Sequence, residues 1–420
     1  MPHGSVLLHW RAEPAYNPAG GHLRAPATNS EQQDMRQARL AVVLPKYSRY
    51  GGVEQFGYRI AAELAGRGHH VDFICARQEI EATPGVNVLV MGRPRVPKHM
   101  KMQSFANSAA EMTDIGEYDC VLGLGKTLAQ DIMRVGGAPL REFWRYSELA
   151  YPAGPARWFK HFRRELSRAN KLTRKIEDEQ YHSGCKIVAV SHFVRELIVK
   201  TYPHLRPQDS EVIYNRPDLA RFRPPERWEI EEARGELNIA PDTVAIGLAT
   251  SNFALKGTGP MIRALSKLPE HFHLYLASGR SHADYDRLAA RLQVSKRVHF
   301  LGRVDNMPLF YQAMDIFSLP TFYDACSNAV LEALAAGLPV LSSAFNGSSY
   351  FLPPENVVQD PGDSDELAET LLRLSIQAAA NRERGERPTF TWPEGIKSGT
   401  DGFAEMVEDY LRGKCDCCKL

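Results

Sequence analysis

The sequence predicts an α/β protein of two doubly wound parallel-sheet domains that face each other across a cleft. Three observations predict it. Short apolar runs, each the length of a buried strand, alternate with segments of helical spacing through the first half. Pro217, Pro224 and Pro225 then punctuate a stretch with little periodicity. A second alternating series begins at Val244. In sheets of this kind, ligands sit beyond the carboxyl ends of the strands.

The elements follow in order. Residues 40–45 (LAVVLP) read as the first strand, and Gly51-Gly52 as the turn after it. Residues 53–64 place Phe56, Ile60 and Leu64 on one helical face, and Gly66 and Gly68 close that helix. Residues 71–75, 88–91, 120–124 and 186–190 repeat the strand pattern, and Ser191 caps a helix over 193–201. Val212 and Ile213 form a short strand ending at Asn215. The second series places strands at 244–249, 273–277, 297–300, 316–319 and 339–342, with a helix from Ser327 to Ala336 between the last two. The organisation expected is a disordered extension over 1–38, domains over 39–220 and 221–395, and a C-terminal helix with a cysteine tail over 396–420. Met35 is a candidate true start. The amphipathic residues 402–411 are expected to pack back on the first domain.

The length of 420 residues suits two domains. Basic and acidic residues balance at 51 against 50, which argues against a dedicated nucleic-acid binder. Seven cysteines without framework spacing fit a reducing, cytoplasmic setting. Cys415, Cys417 and Cys418 crowd the C-terminus, where they suit a disordered tail, a metal or a lipid; the prenylation box is matched in position only. No stretch has the 18 apolar residues of a spanning helix, and the first residues do not form a signal peptide.

Residues 321–339 read TFYDACSNAVLEALAAGLP. An apolar strand ends before them, a polar turn follows, and a helix starts near Ser327. The amides of Asn328, Ala329 and Val330 would be unpaired at its start, where such donors and the helix dipole bind phosphate oxygens. Asp324 lies in the turn and Glu332 early in the helix. Two carboxylates around an anion-binding helix end suit a sugar nucleotide, with hydroxyls on both sides of a diphosphate. An ordinary capped helix with solvated acids is the other reading of the segment taken alone.

This spacing resembles the acid-x7-acid signature of the family 4 glycosyltransferases, which have two Rossmann-like domains in the GT-B arrangement. The continuation 335–340 (AAGLPV) resembles the family as well, although Asp324 stands where the family usually has Glu. The resemblance implies that Asp324 contacts hydroxyls of the donor sugar and Glu332 the ribose. Gly51-Gly52 resembles the family's first glycine loop, residues 212–218 (VIYNRPD) its domain-end motif, and Gly302-Arg303-Val304 the loop bordering the base. Asn252 to Gly257 resembles the donor-phosphate loop, in which Lys256 would hold the diphosphate leaving group. Relatives commonly carry an Arg there too; here Ser251 and Ala254 occupy those positions. Residues 123–137 and 146–152 resemble the branch that builds lipopolysaccharide cores. Asp131, placed after a strand end, would either face the acceptor or lie on a helix surface.

The catalytic set expected is thus Lys256, Asp324 and Asp131. The donor set is Gly51, Gly52, Asn252, Lys256, Gly302, Arg303, Val304, Asp324, Ser327, Asn328, Ala329, Val330 and Glu332. No metal-ligand spacing appears, and no cofactor is expected beyond the nucleotide-sugar co-substrate. Between Arg157 and Lys175 eight basic residues interleave with Trp158, Phe159, Phe162 and Leu166, and Glu165 is the only acid. Such a segment docks on an anionic membrane, grips a phosphorylated acceptor, or is a solvated helix with a core-facing aromatic edge.

The expected reaction is retaining transfer of a hexose to a cell-surface glycan or glycolipid, at the inner face of the cytoplasmic membrane. The alternatives are a sugar-nucleotide epimerase, which needs no acceptor, and a non-catalytic nucleotide-sugar binder, which shows no turnover. A dinucleotide oxidoreductase is disfavoured because no Gly-x-Gly-x-x-Gly follows the first strand.

Overall fold

An inner strand of the first sheet, Arg39–Val43, buries Leu40 and Val42 on one face and Ala41 and Val43 on the other. Burial on both faces is why its sequence is a continuous apolar run rather than an alternating one. On the first face pack Ile60 and Leu64 of the helix Gly52–Gly66; on the second, Phe105 and Ala109 of the helix Lys101–Ile115. The computed structural model describes residues 37–92 and 95–417. The expectations for residues 1–36 and for Cys418 fall outside them, as do the side chains of Cys415 and Cys417.

The seven strands of this sheet are all parallel, in the order Val86–Val90, His70–Cys75, Arg39–Val43, Cys120–Gly123, Ile132–Val135, Lys186–Ala189 and Ser210–Val212. The second sheet has six, also parallel: Val298–Gly302, Phe272–Ala277, Val244–Ala249, Ile316–Leu319, Val340–Ser343 and Val357–Val358. In each sheet the order runs outward from the first strand and then restarts on its other side. The loops leaving the two strands at that reversal diverge to opposite faces and open a crevice between them. In the second sheet those loops follow Ala249 and Leu319.

Both sheets belong to one compact unit that begins at Ala38, and they meet through their carboxyl ends. The Ala138 amide donates to the Tyr323 hydroxyl at 2.5 Å, and the Ser191 hydroxyl to the Ala325 carbonyl at 2.6 Å. The chain crosses between the sheets at 213–226 and returns near Tyr214, whose amide bonds the Lys397 carbonyl at 3.0 Å. The helix Gly399–Cys417 then lies on Gly52–Gly66, with Phe403 edge-on to Phe56 and Glu408 paired with Arg67 at 3.1 Å. No helix among the described residues is long and apolar enough to cross a membrane.

Among the described residues, four strands and most of the helices, among them Lys101–Ile115 and Ser364–Arg384, lie outside the elements read from the sequence. A small parallel pair joins Lys46–Tyr47 to Arg77–Gln78, and Val357–Val358 extends the second sheet. The strand Ile132–Val135 was also missed, because Arg134 interrupts its apolar run. The basic segment 157–175 is two helices, Pro155–Leu166 and Arg168–His182, broken where Ser167 caps the second.

Candidate active site

The site begins with two loops that touch at the sheet reversal. After the strand Val244–Ala249, the Asn252 side chain accepts the Leu255 amide at 3.2 Å and closes a tight turn. Gly257 ends that turn at φ +74°, a conformation that strains side-chain-bearing residues. A Cβ there would also lie 2.1 Å from the Pro320 carbonyl oxygen, so the bare backbone lets the loops close up. The Phe322 amide bonds the Leu255 carbonyl at 2.8 Å and the Thr321 hydroxyl the same carbonyl at 3.0 Å. This lacing delivers the Lys256 ammonium to the Asp324 carboxylate as a direct ion pair, with the Tyr323 carbonyl 3.4 Å away. Both side chains are largely buried.

Beyond Asp324 the chain enters the helix Asn328–Ala335. The Ser327 hydroxyl accepts the Val330 amide at 3.4 Å. The expectation that Val330 offers a free amide is therefore corrected: its own cap takes it. The amides of Asn328 and Ala329 have no protein partner among the described residues, and they carry the positive end of the dipole. One turn on, the Tyr311 hydroxyl donates to Glu332 at 2.9 Å. Burial pushes the Glu332 carboxyl up to about 7, against the opposing pull of Tyr311, Arg221 and Arg59.

The remaining expected residues divide. Gly51, at φ +101°, turns the chain into Gly52–Gly66 at the carboxyl edge of the first sheet. Gly302, Arg303 and Val304 follow the strand Val298–Gly302 at the carboxyl edge of the second, and Arg303 pairs with Asp305 at 2.8 Å. Asn252 shapes the loop through its carbonyl oxygen. Asp131 is a correction. It precedes Ile132–Val135 rather than ending the strand before it, so it sits at the amino edge of the sheet, away from the cleft. There its carboxylate accepts the Val121 amide at 2.8 Å, Lys414 at 2.6 Å and the Tyr410 hydroxyl at 3.2 Å.

Arg134 lies in the stretch 123–137 that resembles the lipopolysaccharide-core branch, but the sequence assigns its side chain no role. It leaves the carboxyl half of Ile132–Val135 and is 6% exposed. Its guanidinium lies 3.6 Å from the centre of the Phe56 ring and donates to Asn215 at 2.8 Å. The Asn215 amide group passes the contact on, to the Cys326 carbonyl at 3.1 Å and to Asn328 at 2.9 Å. Burial pulls the guanidinium pKa down to about 10. The signal available in the sequence was a cation inside a strand-length apolar run.

Two doubly wound sheets meeting at their carboxyl edges are the GT-B fold. Residues 241–376 match the family model described as glycosyl transferases group 1. The chain is 24% identical over 406 residues to the lipopolysaccharide glucosyltransferase WaaG of Escherichia coli (strain K12), covering 90% of this chain and 99% of that one. The lipopolysaccharide core biosynthesis glycosyltransferase LpsE of Rhizobium meliloti (strain 1021) is 30% identical over 156 residues, 36% of this chain and 46% of that one. The crystal structure of WaaG, described as a glycosyltransferase involved in lipopolysaccharide biosynthesis, superposes with a TM-score of 0.67 at 22% identity, over 82% of this chain and 94% of that one. Anabaena Alr3699/HepE, solved with UDP and glucose, superposes with a TM-score of 0.62 at 15% identity, over 90% and 100%. The chain is a glycosyltransferase with the group 1 domain in its second half.

Proposed function

We propose that the chain transfers a hexose, with retained anomeric configuration, from a UDP-type sugar nucleotide to a hydroxyl of a cell-surface glycan such as a lipopolysaccharide core. The observation that carries this reading is the cluster of Lys256, Asp324 and the open amides of Asn328 and Ala329 at the sheet reversal. The likeness to WaaG supports the acceptor class, and the UDP-bound HepE supports the donor class. In the step itself the sugar–phosphate bond breaks and the bond from the acceptor oxygen to the sugar forms. The nucleoside diphosphate leaves with the electron pair, and the acceptor proton passes to its departing oxygen. Lys256 and the helix amides stabilise the charge growing there, and Asp324 orients the sugar through its hydroxyls. These groups hold the diphosphate without a divalent ion.

The test is a panel of UDP-, GDP-, ADP- and dTDP-sugars scored for thermal stabilisation and for hydrolysis, with and without chelator. At least one UDP-sugar is expected to raise the melting temperature and to be hydrolysed slowly with chelator present. If no sugar nucleotide binds, the reading fails. Isomerised donor in the absence of any acceptor would favour an epimerase.

A second observation favours work at an anionic membrane on the cytoplasmic side. Trp158, Phe159 and Phe162 are 67%, 55% and 46% exposed on the helix Pro155–Leu166, so its aromatics do not face the core. Arg164 and Arg174 are held inward by Glu148 and Glu165 at 3.0 and 2.9 Å. An amphipathic helix with aromatic side chains outward lies in a lipid interface. Binding to anionic vesicles is expected to fall steeply with salt and to be lost in Trp158→Glu/Phe162→Glu. Salt-independent binding, or none, counts against this placement.

A further inference from the structure

Two arginines elsewhere in the fold each meet several acceptors. Arg234 pairs with Asp315 at 3.0 Å and donates to the Ala240 and Thr243 carbonyls; Arg387 donates to the carbonyls of Tyr311, Gln312 and Met314. Arg134 is buried, yet among the described residues it makes one hydrogen bond, to the neutral Asn215, and faces no carboxylate. A guanidinium has five N–H donors, and a buried charge without an opposite charge is costly. The Phe56 ring covers one face of it. Among the described residues nothing meets the rest.

Its surroundings name the missing partner. A Cβ built on Gly136 would lie 3.4 Å from Val53 Cγ2 and 3.8 Å from Arg134 Nη1, so the bare Gly136 backbone runs close beside that nitrogen. Phe56 belongs to the helix that begins at Gly52. Asn215 links Arg134 to Asn328, the first residue of the helix whose opening amides are free. Two helix starts from two sheets thus flank one unpaired cation, and each favours an anion by its dipole. The loop 251–256 meanwhile supplies one cation, Lys256, and carries Ser251 and Ala254 where a second would stand.

We infer that Arg134, reaching in from the first sheet, is the second cation on the diphosphate of the nucleotide-sugar donor. The inference rests on the proposed donor reading. It places the diphosphate between Lys256 of one sheet and Arg134 of the other, so that the donor bridges both halves. Having no carboxylate to leave, Arg134 meets the phosphate without breaking an existing ion pair. Its fork of donors grips two phosphate oxygens where an ammonium grips as a point charge.

The test compares UDP with UMP, and GDP and ADP with their monophosphates, on wild type, Arg134→Met and Arg134→Lys, by titration calorimetry and thermal shift. The wild type is expected to favour a diphosphate, and Arg134→Met to lose about tenfold or more of that preference. Its affinity for the monophosphate should stay within about twofold, and Arg134→Lys should recover part of the loss. The ligand-free Arg134→Met protein should melt no lower than wild type, because removing an uncompensated charge costs the fold nothing. A diphosphate preference unchanged in Arg134→Met overturns the inference and leaves the donor reading standing. So does an Arg134→Met chain that no longer folds, since that marks a structural arginine. A wild type that binds no nucleoside diphosphate removes both.

Discussion

Replacing Lys256 with alanine is expected to lower turnover by about 100- to 1,000-fold, the range seen when one donor to a developing oxyanion is removed. Donor affinity should change far less. The reason lies in when the charge appears. In the bound donor the diphosphate charge is shared along the chain, while in the transition state it concentrates on the oxygen leaving the sugar. An ammonium held against that oxygen therefore gains most at the moment of reaction, and interactions of that kind raise turnover rather than binding. The ion pair with Asp324 complicates a simple deletion, because Lys256→Ala leaves a largely buried carboxylate with, among the described residues, only the Cys326 amide, at 3.3 Å. The double variant Lys256→Ala/Asp324→Asn separates the two effects. If Lys256 acts on the leaving group, turnover stays low in the double variant. If Lys256 serves only to neutralise Asp324, the double variant recovers, and the assignment to the leaving group is wrong. Single-turnover rates with saturating donor are the measurement that decides it.

On the proposed donor reading, the ligand-free pair sets what the donor has to do on arrival. Lys256 and Asp324 satisfy each other in the empty site. A diphosphate offers Lys256 more negative charge than one carboxylate does, and sugar hydroxyls offer Asp324 the donors it loses. The exchange is balanced only when both ends of the donor are present, so nucleoside diphosphate alone leaves Asp324 short of partners.

Most of the strand framework was legible because the inner strands of both sheets are buried on two faces, which forces runs such as LAVVL and VAIGLA. The helix Asn328–Ala335 was legible through its serine cap and the apolar strand before it. The strand Ile132–Val135 was not, because Arg134 occupies its third position and breaks the apolar run. That one omission moved Asp131 from the amino edge of the sheet to its carboxyl edge, and so into the catalytic set. Arg134 itself needs the fold to be recognised. Its partner Asn215 is 81 residues away in sequence, and the partner of Asn215, Asn328, a further 113. The capping of Val330 was within reach, since a serine before a helix start takes an early amide by rule. The outward aromatics at Trp158 and Phe162 could not be told from a core-facing edge without the packing partners of the helix.

Glu332 carries the second large effect, and its sign can be worked out. An ordinary glutamate is ionised throughout the neutral range, but burial holds this one at about 7 in the empty site. Between pH 6 and 8 it passes from mostly neutral to mostly ionised. Ribose hydroxyls donate hydrogen bonds, and an ionised carboxylate is the stronger acceptor. Donor binding therefore favours the ionised form and releases a proton where the group is still protonated. Affinity for the sugar nucleotide should rise with pH through about 7 and level off above it. The donor contributes no competing titration here, because its diphosphate is esterified at both ends. Tyr311 already occupies one carboxylate oxygen at 2.9 Å, which leaves the other for the ribose. Glu332→Ala should weaken donor binding by about 10- to 100-fold, the equivalent of roughly 1.5–3 kcal/mol for a hydrogen bond to a charged group. Glu332→Gln keeps the shape and the neutral acceptor but cannot ionise, so its affinity should be low and independent of pH over the same range. Titrating donor affinity from pH 5.5 to 8.5 in both proteins is the check. A Glu332→Gln profile that follows the wild-type curve would show that another group sets the pH dependence, and a flat wild-type profile would remove the ribose role from Glu332.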